Sequence, residues 1–428
     1  MISAFVALYY NETKEAIAFF LTSSIFFLVG FPLNALSEIK DLNFTQSLFL
    51  LFLTFIVLGL IGSVPYIYLD VFSEKSFHEK IVNSIFESVS GFTTTGFSLL
   101  NSDEIQLSNS LIFYRSLTQF IGGVGIVYIL ITFLYSSRYK ILKIFNKILG
   151  FDNNYHIKKN FLEVLMFYSI SLVILTSIMY YFSGDFIKSF SLIASGIATG
   201  GFAHYDLSSI STEEKFIVMV SMILGSISIF VLAKLKKEIV PFLLFILLTF
   251  ILLTNFGINY EDALFHSVSL VSTTGYSYID FSNLPSYVLL FLSVIMLIGG
   301  MSVSTAGGFK IIRLLNVLNF IKEGIKSFIL DKEEIKINET LIFSVLYVIL
   351  YLIFVGILTF IFSLYGFDIS KSFFDAASSL STSGFSVGII NDNLPLELKI
   401  IIIFYMILAR VEILPLFSIF FIGRKNYE

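Results

Sequence analysis

Four stretches of the chain share one pattern, in which a threonine stands two residues before a glycine and an aromatic residue follows it. They read FESVSGFTTTGFS (86–98), SLIASGIATGGFA (191–203), FHSVSLVSTTGYS (265–277) and FDAASSLSTSGFS (374–386). One copy would be an ordinary turn, because Ser, Thr and Gly are common where a loop bends. Four gapless copies exceed what composition predicts by chance and indicate an internal repeat.

The rest of the chain is strongly apolar. Its 428 residues are 56% hydrophobic and 14% charged, whereas an average soluble domain has about 45–50% and about 25%. Apolar segments centred near residues 26, 57, 123, 172, 225, 248, 298, 352 and 410 predict about nine spanning helices. Each repeated stretch falls between two of them and is too polar to span. Such backbone is tolerated at membrane depth only where it is buried or lines a watery cavity, so we expect re-entrant loops.

The predicted fold is an all-α membrane protein. Four helix–pore-loop–helix repeats are expected in a pseudo-fourfold arrangement around one pore, plus an N-terminal extra helix. Short helices are predicted before the loops, for example over 81–93 and 262–272, and the first ten residues predict a helical stub. The predicted boundaries are 1–43 for the N-terminal segment, then 44–140, 155–237, 238–330 and 335–428 for the repeats.

Charge predicts the orientation. Basic residues concentrate in alternate connections and in the tail, which the positive-inside rule assigns to the cytoplasm. They are Arg138, Lys140, Lys143, Lys147, Lys158, Lys159, Lys234, Lys236, Lys237, Lys310, Arg313, Lys322, Lys326, Arg424 and Lys425. We therefore expect a multi-pass protein of the cell (inner) membrane with a cytoplasmic C-terminus. The opposite loops carry Asp103, Glu104, Asp206, Glu213, Glu214, Asp280, Asp392 and Glu397, which would enrich cations locally.

The repeated loops suit a dehydrated cation, because four loops around one axis can offer four carbonyl oxygens per layer. Glycine is expected where successive carbonyls face the axis, since residues with a Cβ avoid such backbone angles. Threonine can add an oxygen, and the aromatic can pack behind the loop. The predicted filter comprises Thr94, Thr95, Gly96, Thr199, Gly200, Gly201, Thr273, Thr274, Gly275, Thr382, Ser383 and Gly384.

A second candidate site interrupts the apolar segment near residue 298. Gly299, Gly300, Gly307 and Gly308 stand with Ser302, Ser304 and Thr305, and each glycine costs a helix interior about 1 kcal/mol. A broken helix acting as a gate is the predicted structure. The alternative is close helix packing, which small residues also allow in membranes.

Three further strings carry a family resemblance: RSLTQFIGGVGI (115–126), GGMSVSTAGGFKIIR (299–313) and ARVEIL (409–414). With the four loops, they resemble the Trk/Ktr/HKT superfamily of potassium transporters, and most of all its bacterial TrkH branch. The resemblance implies potassium uptake through the filter, a gate at 299–308, and a homodimer. It also implies cytoplasmic TrkA-type regulatory subunits that bind ATP, ADP or NAD. Ala409, Met301 and Val303 depart from the usual motifs of the family.

Arg115, Arg410 and Glu412 lie in apolar runs and should face the interior, because a charge facing lipid is costly. The resemblance makes Arg410 an electrostatic throttle on ion flow, whereas pairing with Glu412 or a helix end is the alternative. We expect Glu87 and Asp375 to pair locally.

Other functions find less support in the sequence. The four histidines (His78, His156, His204 and His266) lack metal-ligand spacing, and without cysteine the chain has no thiolate site. No catalytic or phosphate-binding motif appears, so neither an enzyme nor a cofactor of this chain is expected. The net charge of −4 does not favour nucleic acid. Coupled symport with sodium or protons stays open, and a purely structural scaffold would leave the repeat unexplained.

Overall fold

The computed structural model describes residues 1–36, 44–100, 107–134, 157–227, 236–329 and 339–411. Within these ranges the regular elements are sixteen α-helices and the short 3₁₀ helix Phe281–Asn283. The α-helices are α1 (Ile2–Tyr9), α2 (Thr13–Leu36), α3 (Phe44–Gly62), α4 (Val64–Tyr68), α5 (Phe77–Phe92), α6 (Asn109–Leu134), α7 (Ile157–Ser183), α8 (Phe186–Ile197), α9 (Thr212–Ser226), α10 (Lys236–Asn255), α11 (Tyr260–Val271), α12 (Ser286–Ile298), α13 (Ile311–Ile329), α14 (Glu339–Leu364), α15 (Ile369–Leu380) and α16 (Leu396–Arg410). The all-helical prediction is confirmed for the described part of the chain.

All nine apolar segments predicted from the sequence contain helix. Among the described residues, six helical spans are long and apolar enough to cross a membrane. They are Thr13–Ala35, Phe49–Tyr68, Asn109–Val127, Glu163–Ser183, Lys237–Asn255 and Leu341–Leu364. The other three, α9, α12 and α16, have only 15, 13 and 15 residues, fewer than the roughly 20 that cross a hydrocarbon core unaided.

Exposed side chains show where lipid lies. Large apolar residues cover the outward faces of the long helices, and exposed tyrosines stand at helix ends. Those tyrosines are Tyr9, Tyr68, Tyr180, Tyr181, Tyr260, Tyr287 and Tyr365. Tyrosine is enriched at the boundary between lipid and water, where its ring and hydroxyl meet different solvents. The chain is therefore a membrane protein.

Helices α1 and α2 pack beside α6 and α4. Glu12, in the turn between the first two, accepts hydrogen bonds from the backbone N–H groups of Asn109 (2.9 Å) and Ser110 (2.9 Å). A helix N-terminus has free N–H groups and a positive dipole end, so a carboxylate there satisfies both. The helix predicted in the first ten residues is confirmed.

Four short helices occupy the interior: α5, α8, α11 and α15. Side chains of Ser76, Asp185, Asn259 and Asp368 cap their N-termini, as expected for residues that can accept a hydrogen bond from the first turn. Their observed ranges confirm the short helices predicted near 81–93 and 262–272. Each packs against the helix before it in the chain and against a helix from a different repeated segment: α5 on α16, α8 on α6, α11 on α9 and α15 on α12. These contacts close a cycle.

Two of the four contacts in that cycle contain a buried lysine. At the junction of α5 and α16, Lys399 Nζ donates to Asn83 Oδ1 (2.9 Å) and to the carbonyl of Asp392 (2.7 Å). At the junction of α9 and α11, Lys215 Nζ lies 3.3 Å from Asp262 Oδ1. Buried charges need such partners, so these pairs fix the register between neighbouring helices.

Candidate functional site

The four Thr-x-Gly loops (residues 93–97, 198–202, 272–276 and 381–385) begin where the short helices end. In each loop, the backbone N–H of the residue before the glycine donates a hydrogen bond to the carbonyl of a serine five positions earlier in the chain. The four pairs are Thr95 with Ser90, Gly200 with Ser195, Thr274 with Ser269 and Ser383 with Ser378. This bond is typical of a Schellman motif at a helix C-terminus, in which the residue directly before the N–H donor has a left-handed backbone and is usually glycine. Threonine takes that place here.

The backbone of these loops is unusual at two positions. Thr94, Thr199, Thr273 and Thr382 have φ between 49° and 55°, and Gly96, Gly201, Gly275 and Gly384 have φ between 71° and 89°. Glycine adopts such angles freely. A β-branched residue does not, and threonines at these angles store strain that the surrounding packing must hold. The sequence analysis expected the glycine conformation but missed that of threonine.

The four glycines contact one another in a ring. A Cβ on Gly96 would overlap the carbonyl oxygen of Gly200, and one on Gly201 would overlap that of Thr274. In the same way Gly275 abuts the Ser383 carbonyl, and Gly384 abuts the Thr95 carbonyl. The last contact returns to the first loop. Four segments far apart in sequence therefore meet around one small closed circuit, with no room for a side chain at the glycines.

Buried groups hold the loops from behind. Ser90 Oγ donates to the carbonyl of Phe97 (2.6 Å), and Ser269 Oγ to that of Tyr276 (2.9 Å). The aromatic residues after the glycines are buried, and Tyr276 also donates its hydroxyl to the Leu192 carbonyl (2.7 Å). The hydroxyls of Thr94 and Thr382 are buried without a protein hydrogen-bond partner. Such oxygens are free to coordinate another species.

One position of the short helices supports the chain just after the glycine in three of the four loops. Glu87 accepts from Ser98 Oγ (2.9 Å) and Leu99 N (2.6 Å). Asp375, at the aligned position, accepts from Ser386 Oγ (2.7 Å) and Val387 N (2.9 Å). The local pairing predicted for both carboxylates is confirmed.

The third helix has a histidine at this position, and Tyr278 N donates to His266 Nε2 (3.3 Å). In the second helix the aligned residue is Leu192. The described residues contain no cluster of three or more His, Asp or Glu side chains that could hold a metal ion.

Arg115 joins the first loop to the second. Its guanidinium bonds to Glu87 Oε2 (2.9 Å) and Ser98 Oγ (2.8 Å), and it lies 4.2 Å from the ring centroid of Phe202. Both charges are almost fully buried. The expected interior location of Arg115 is confirmed, and Arg410 is likewise buried. Glu412 lies outside the described residues.

The candidate gate is an irregular loop between α12 and α13, here called loop 299–310. Gly299, Val303, Gly308 and Lys310 all have positive φ, so the helix cannot continue through it. The two ends are tied together, because Phe309 N donates to Leu297 O (2.8 Å) and Lys310 N to Ile298 O (2.8 Å). The predicted break in the helix is confirmed, and uninterrupted helix packing through this segment is excluded.

Loop 299–310 lies against the base of the Thr-x-Gly loops. Thr305 Oγ1 donates to the carbonyl of Ile197 (2.8 Å), and Gly307 N donates to Thr273 Oγ1 (2.7 Å). A Cβ on Gly307 would overlap the carbonyl of Ser381. Three of the four Thr-x-Gly loops are therefore within direct reach of this segment.

Two buried charges anchor loop 299–310 from outside. Glu238, at the start of α10, accepts from Ser302 N (2.8 Å) and Ser302 Oγ (3.0 Å). Arg410, at the end of α16, donates to the carbonyls of Thr305 (2.9 Å) and Gly122 (3.4 Å). The sequence analysis missed Glu238. Glu238 directly follows Lys236 and Lys237 at the edge of an apolar segment, so its sequence context is that of a solvated charge.

Several of the acidic residues predicted to attract cations have local partners, among them Asp206, Asp280 and Asp392. Hydrogen bonds from the Ser208 side chain and backbone hold the pKa of Asp206 below its usual value, and those of Ser282 do the same for Asp280. Asp392 forms a 2.6 Å ion pair with Lys75 and raises the pKa of that lysine. Asp103 and Glu104 lie outside the described residues.

The fold and this site define an all-helical protein of the membrane with a central, closed cluster of backbone carbonyls. A family model described as TrkH, cation transport protein, matches residues 229–426. A cation transporter of Methanocaldococcus jannaschii is 29% identical, over 98% of this chain and 91% of that protein. The Trk system potassium uptake protein TrkG of Escherichia coli is 25% identical, over 97% and 93%.

A solved structure agrees with these matches. The potassium transporter TrkH from Vibrio parahaemolyticus superposes with a TM-score of 0.81 at 21% identity, covering 98% of this chain and 94% of that one. The family model, the curated relatives and this structure agree with the resemblance inferred from the motifs, which is to the Trk/Ktr/HKT superfamily and to its TrkH branch. The Trk relatives are named as transport proteins and not as enzymes.

Proposed function

We propose that the protein takes up potassium ions across the cytoplasmic (inner) membrane through a selectivity filter made by the four Thr-x-Gly loops. The observation that carries this proposal is the closed circuit of contacts from Gly96 through Gly201 and Gly275 to Gly384 and back. A ring of carbonyls at that place can replace the water shell of a bare cation. The names of the Trk relatives, which refer to potassium uptake, support potassium as that cation.

In this proposal four helix–loop–helix repeats, at 44–140, 155–237, 238–330 and 335–428, surround one pore in pseudo-fourfold symmetry. The short helices point their C-terminal ends, and hence their negative dipole ends, toward the space below the filter, where a cation would be stabilised. The unpartnered hydroxyls of Thr94 and Thr382 supply further oxygen ligands at the filter base. Residues Thr94–Gly96, Thr199–Gly201, Thr273–Gly275 and Thr382–Gly384 are the proposed ion-binding set.

Loop 299–310 is the proposed gate. It lies at the base of the proposed filter and is held by individual hydrogen bonds with Glu238, Arg410 and the carbonyls of Ile197 and Gly225. A segment without regular structure can change position at less cost than a packed helix, because it has fewer cooperative contacts to break. Movement of the loop would open the path from the filter to the cytoplasm.

Regulation and assembly complete the proposal. The relatives are named as parts of a Trk system, and we propose that this chain forms a homodimer that docks TrkA-type cytoplasmic subunits. Binding of ATP, ADP or NAD to those subunits would act on loop 299–310. Co-purification in mild detergent tests this part, because a chain recovered only as a monomer without such a subunit would contradict it.

The test of the proposed function is rescue of potassium-uptake-deficient bacteria on limiting potassium. Wild type should support growth, whereas Gly96→Ser and Gly384→Ser should lose potassium uptake and its preference over sodium, because a side chain at either place overlaps a neighbouring carbonyl. Gly356→Ala, in open space on α14, is the matched control. Equal rescue by all variants would contradict the filter. Uptake into proteoliposomes with and without a sodium or proton gradient separates channel-like transport from symport.

A further inference from the structure

Three of the four Thr-x-Gly loops contain the same pair of hydrogen-bonded hydroxyls. Thr93 and Thr95 are joined at 2.8 Å, Ser272 and Thr274 at 2.7 Å, and Ser381 and Ser383 at 2.8 Å. In each pair one hydroxyl belongs to the residue directly before the glycine. The pair ties the residue before the glycine to the residue two positions earlier and so braces the loop.

The second loop cannot form this pair, because it has Ala198 and Gly200 at the two positions. Its place is taken by Gln119, a fully buried residue of α6. Gln119 Nε2 donates to the carbonyl of Gly200 (2.7 Å), and its Oε1 accepts from Phe202 N (3.2 Å). A Cβ on Gly200 would lie 2.5 Å from Gln119 Cδ. The glutamine therefore fills the volume that the missing side chain would occupy.

The hydrogen bond from Gln119 acts on a carbonyl of the ring, whereas the hydroxyl pairs of the other loops join one side chain to another. The Gly200 carbonyl is the one that abuts Gly96, so it belongs to the ring of carbonyls formed with Thr95, Thr274 and Ser383. A carbonyl oxygen that already accepts an amide hydrogen has one of its two lone pairs engaged and is held in a fixed direction. The number and strength of such dipoles determine how a filter ranks potassium against sodium.

We propose that Gln119 is a positioning residue that sets the ion selectivity of the filter by holding the Gly200 carbonyl. The inference rests on the proposed filter function. Without the amide, the second loop would lose both its brace and the hydrogen bond that restrains its carbonyl. The ring could then contract around the smaller sodium ion.

The experiment replaces Gln119 by a hydroxyl pair like those of the other loops. The quantity measured is the ratio of potassium to sodium uptake in proteoliposomes. Gln119→Met fills a similar volume without either hydrogen bond, and it should lower the ratio about tenfold, the factor expected for losing the bond to the Gly200 carbonyl alone. Ala198→Ser with Gly200→Ser should also lower it, because the new side chain overlaps Gln119. Adding Gln119→Ala to that pair makes room for a hydroxyl pair like those of the other loops, and it should recover most of the ratio.

Gly125→Ala, on the same helix with no atom near the added Cβ, should retain the wild-type ratio and serves as the control. An unchanged ratio in Gln119→Met would overturn the inference, since packing alone would then suffice. So would a triple variant no better than Ala198→Ser with Gly200→Ser. Size-exclusion profiles and potassium-dependent thermal stabilisation in detergent identify variants that fail to fold. If wild type itself shows no preference for potassium, the proposed function fails instead.

Discussion

The Thr-x-Gly loops and loop 299–310 lie in contact, yet their conformations depend on different interactions. The Thr-x-Gly loops share local bonds that recur from copy to copy, such as Thr95 N to Ser90 O and Ser90 Oγ to Phe97 O in the first loop. Loop 299–310 depends on partners from other segments, including Glu238, Arg410 and the carbonyls of Ile197 and Gly225. Local bonds re-form wherever the sequence is repeated, whereas distant partners make one segment unique.

The difference suits the two proposed roles. A filter must hold its geometry while ions pass, and its strained threonines are kept in place by burial and by ring closure. A gate must have two positions separated by a modest free energy, and the individual hydrogen bonds of loop 299–310 can be exchanged for others more readily than the regular bonds of a helix. Variants of the ring, of the loop and of the place where they touch can therefore separate the two roles.

The largest effect is expected at Gly307, where the loop meets the ring. An added Cβ would overlap the Ser381 carbonyl, and overpacking of a buried contact costs about 1–3 kcal/mol. Gly307→Ala should therefore displace the loop or the ring and strongly reduce potassium uptake. Gly324→Ala, an open position on α13, is the control and should leave uptake intact. Normal uptake by Gly307→Ala would show that the two regions do not depend on each other.

Arg410→Ala tests the anchor on the other side of the loop. The change removes donors from the Thr305 and Gly122 carbonyls, and a buried group left unpaired costs about 1–3 kcal/mol. We expect patch recordings to show a higher open probability and, because a buried positive charge is lost, a larger single-channel current. Arg410→Lys retains the positive charge but not the planar guanidinium group. Its single-channel current should therefore be closer to the wild-type value than its open probability is. Unchanged conductance and gating would remove Arg410 from both roles.

The sequence predicted the helices, the helix break at 299–308 and the four aligned glycines, because each follows from composition, spacing or repetition. It could not predict that Gln119 substitutes for a missing hydroxyl pair or that Glu238 binds Ser302. Those contacts join residues 81 and 64 positions apart, and nothing local indicates them. The left-handed threonines were missed for another reason: propensity favours glycine at a helix end, and tertiary packing overrides it here.

Glu238→Gln weakens the anchor without changing its size. The carboxylate accepts both the amide and the hydroxyl of Ser302, and hydrogen bonds to a charged group are worth about 1.5–3 kcal/mol. We expect a looser loop and a several-fold higher uptake rate, with Glu163→Gln, an exposed position on α7, as the control. Combined with Ser302→Ala, the effects should be non-additive by about 0.5–3 kcal/mol. Additive effects would mean that the two residues act separately.

The smallest effect concerns the junction between α5 and α16, where two lysines contact the same aspartate from different depths. Lys75 and Asp392 are 24% and 34% exposed, and a solvent-exposed pair contributes at most about 1 kcal/mol. Lys75→Ala should therefore barely lower thermal stability, and added salt should abolish the difference. Because Asp392 raises the pKa of Lys75, the contribution is present at neutral pH and is lost only as pH rises past the lysine pKa. Lys399→Met removes the buried donor to Asn83 and Asp392 and should cost considerably more. Equal losses of thermal stability from the two variants would show that burial does not distinguish these two contacts. They would also show that the junction between α5 and α16 depends on other interactions.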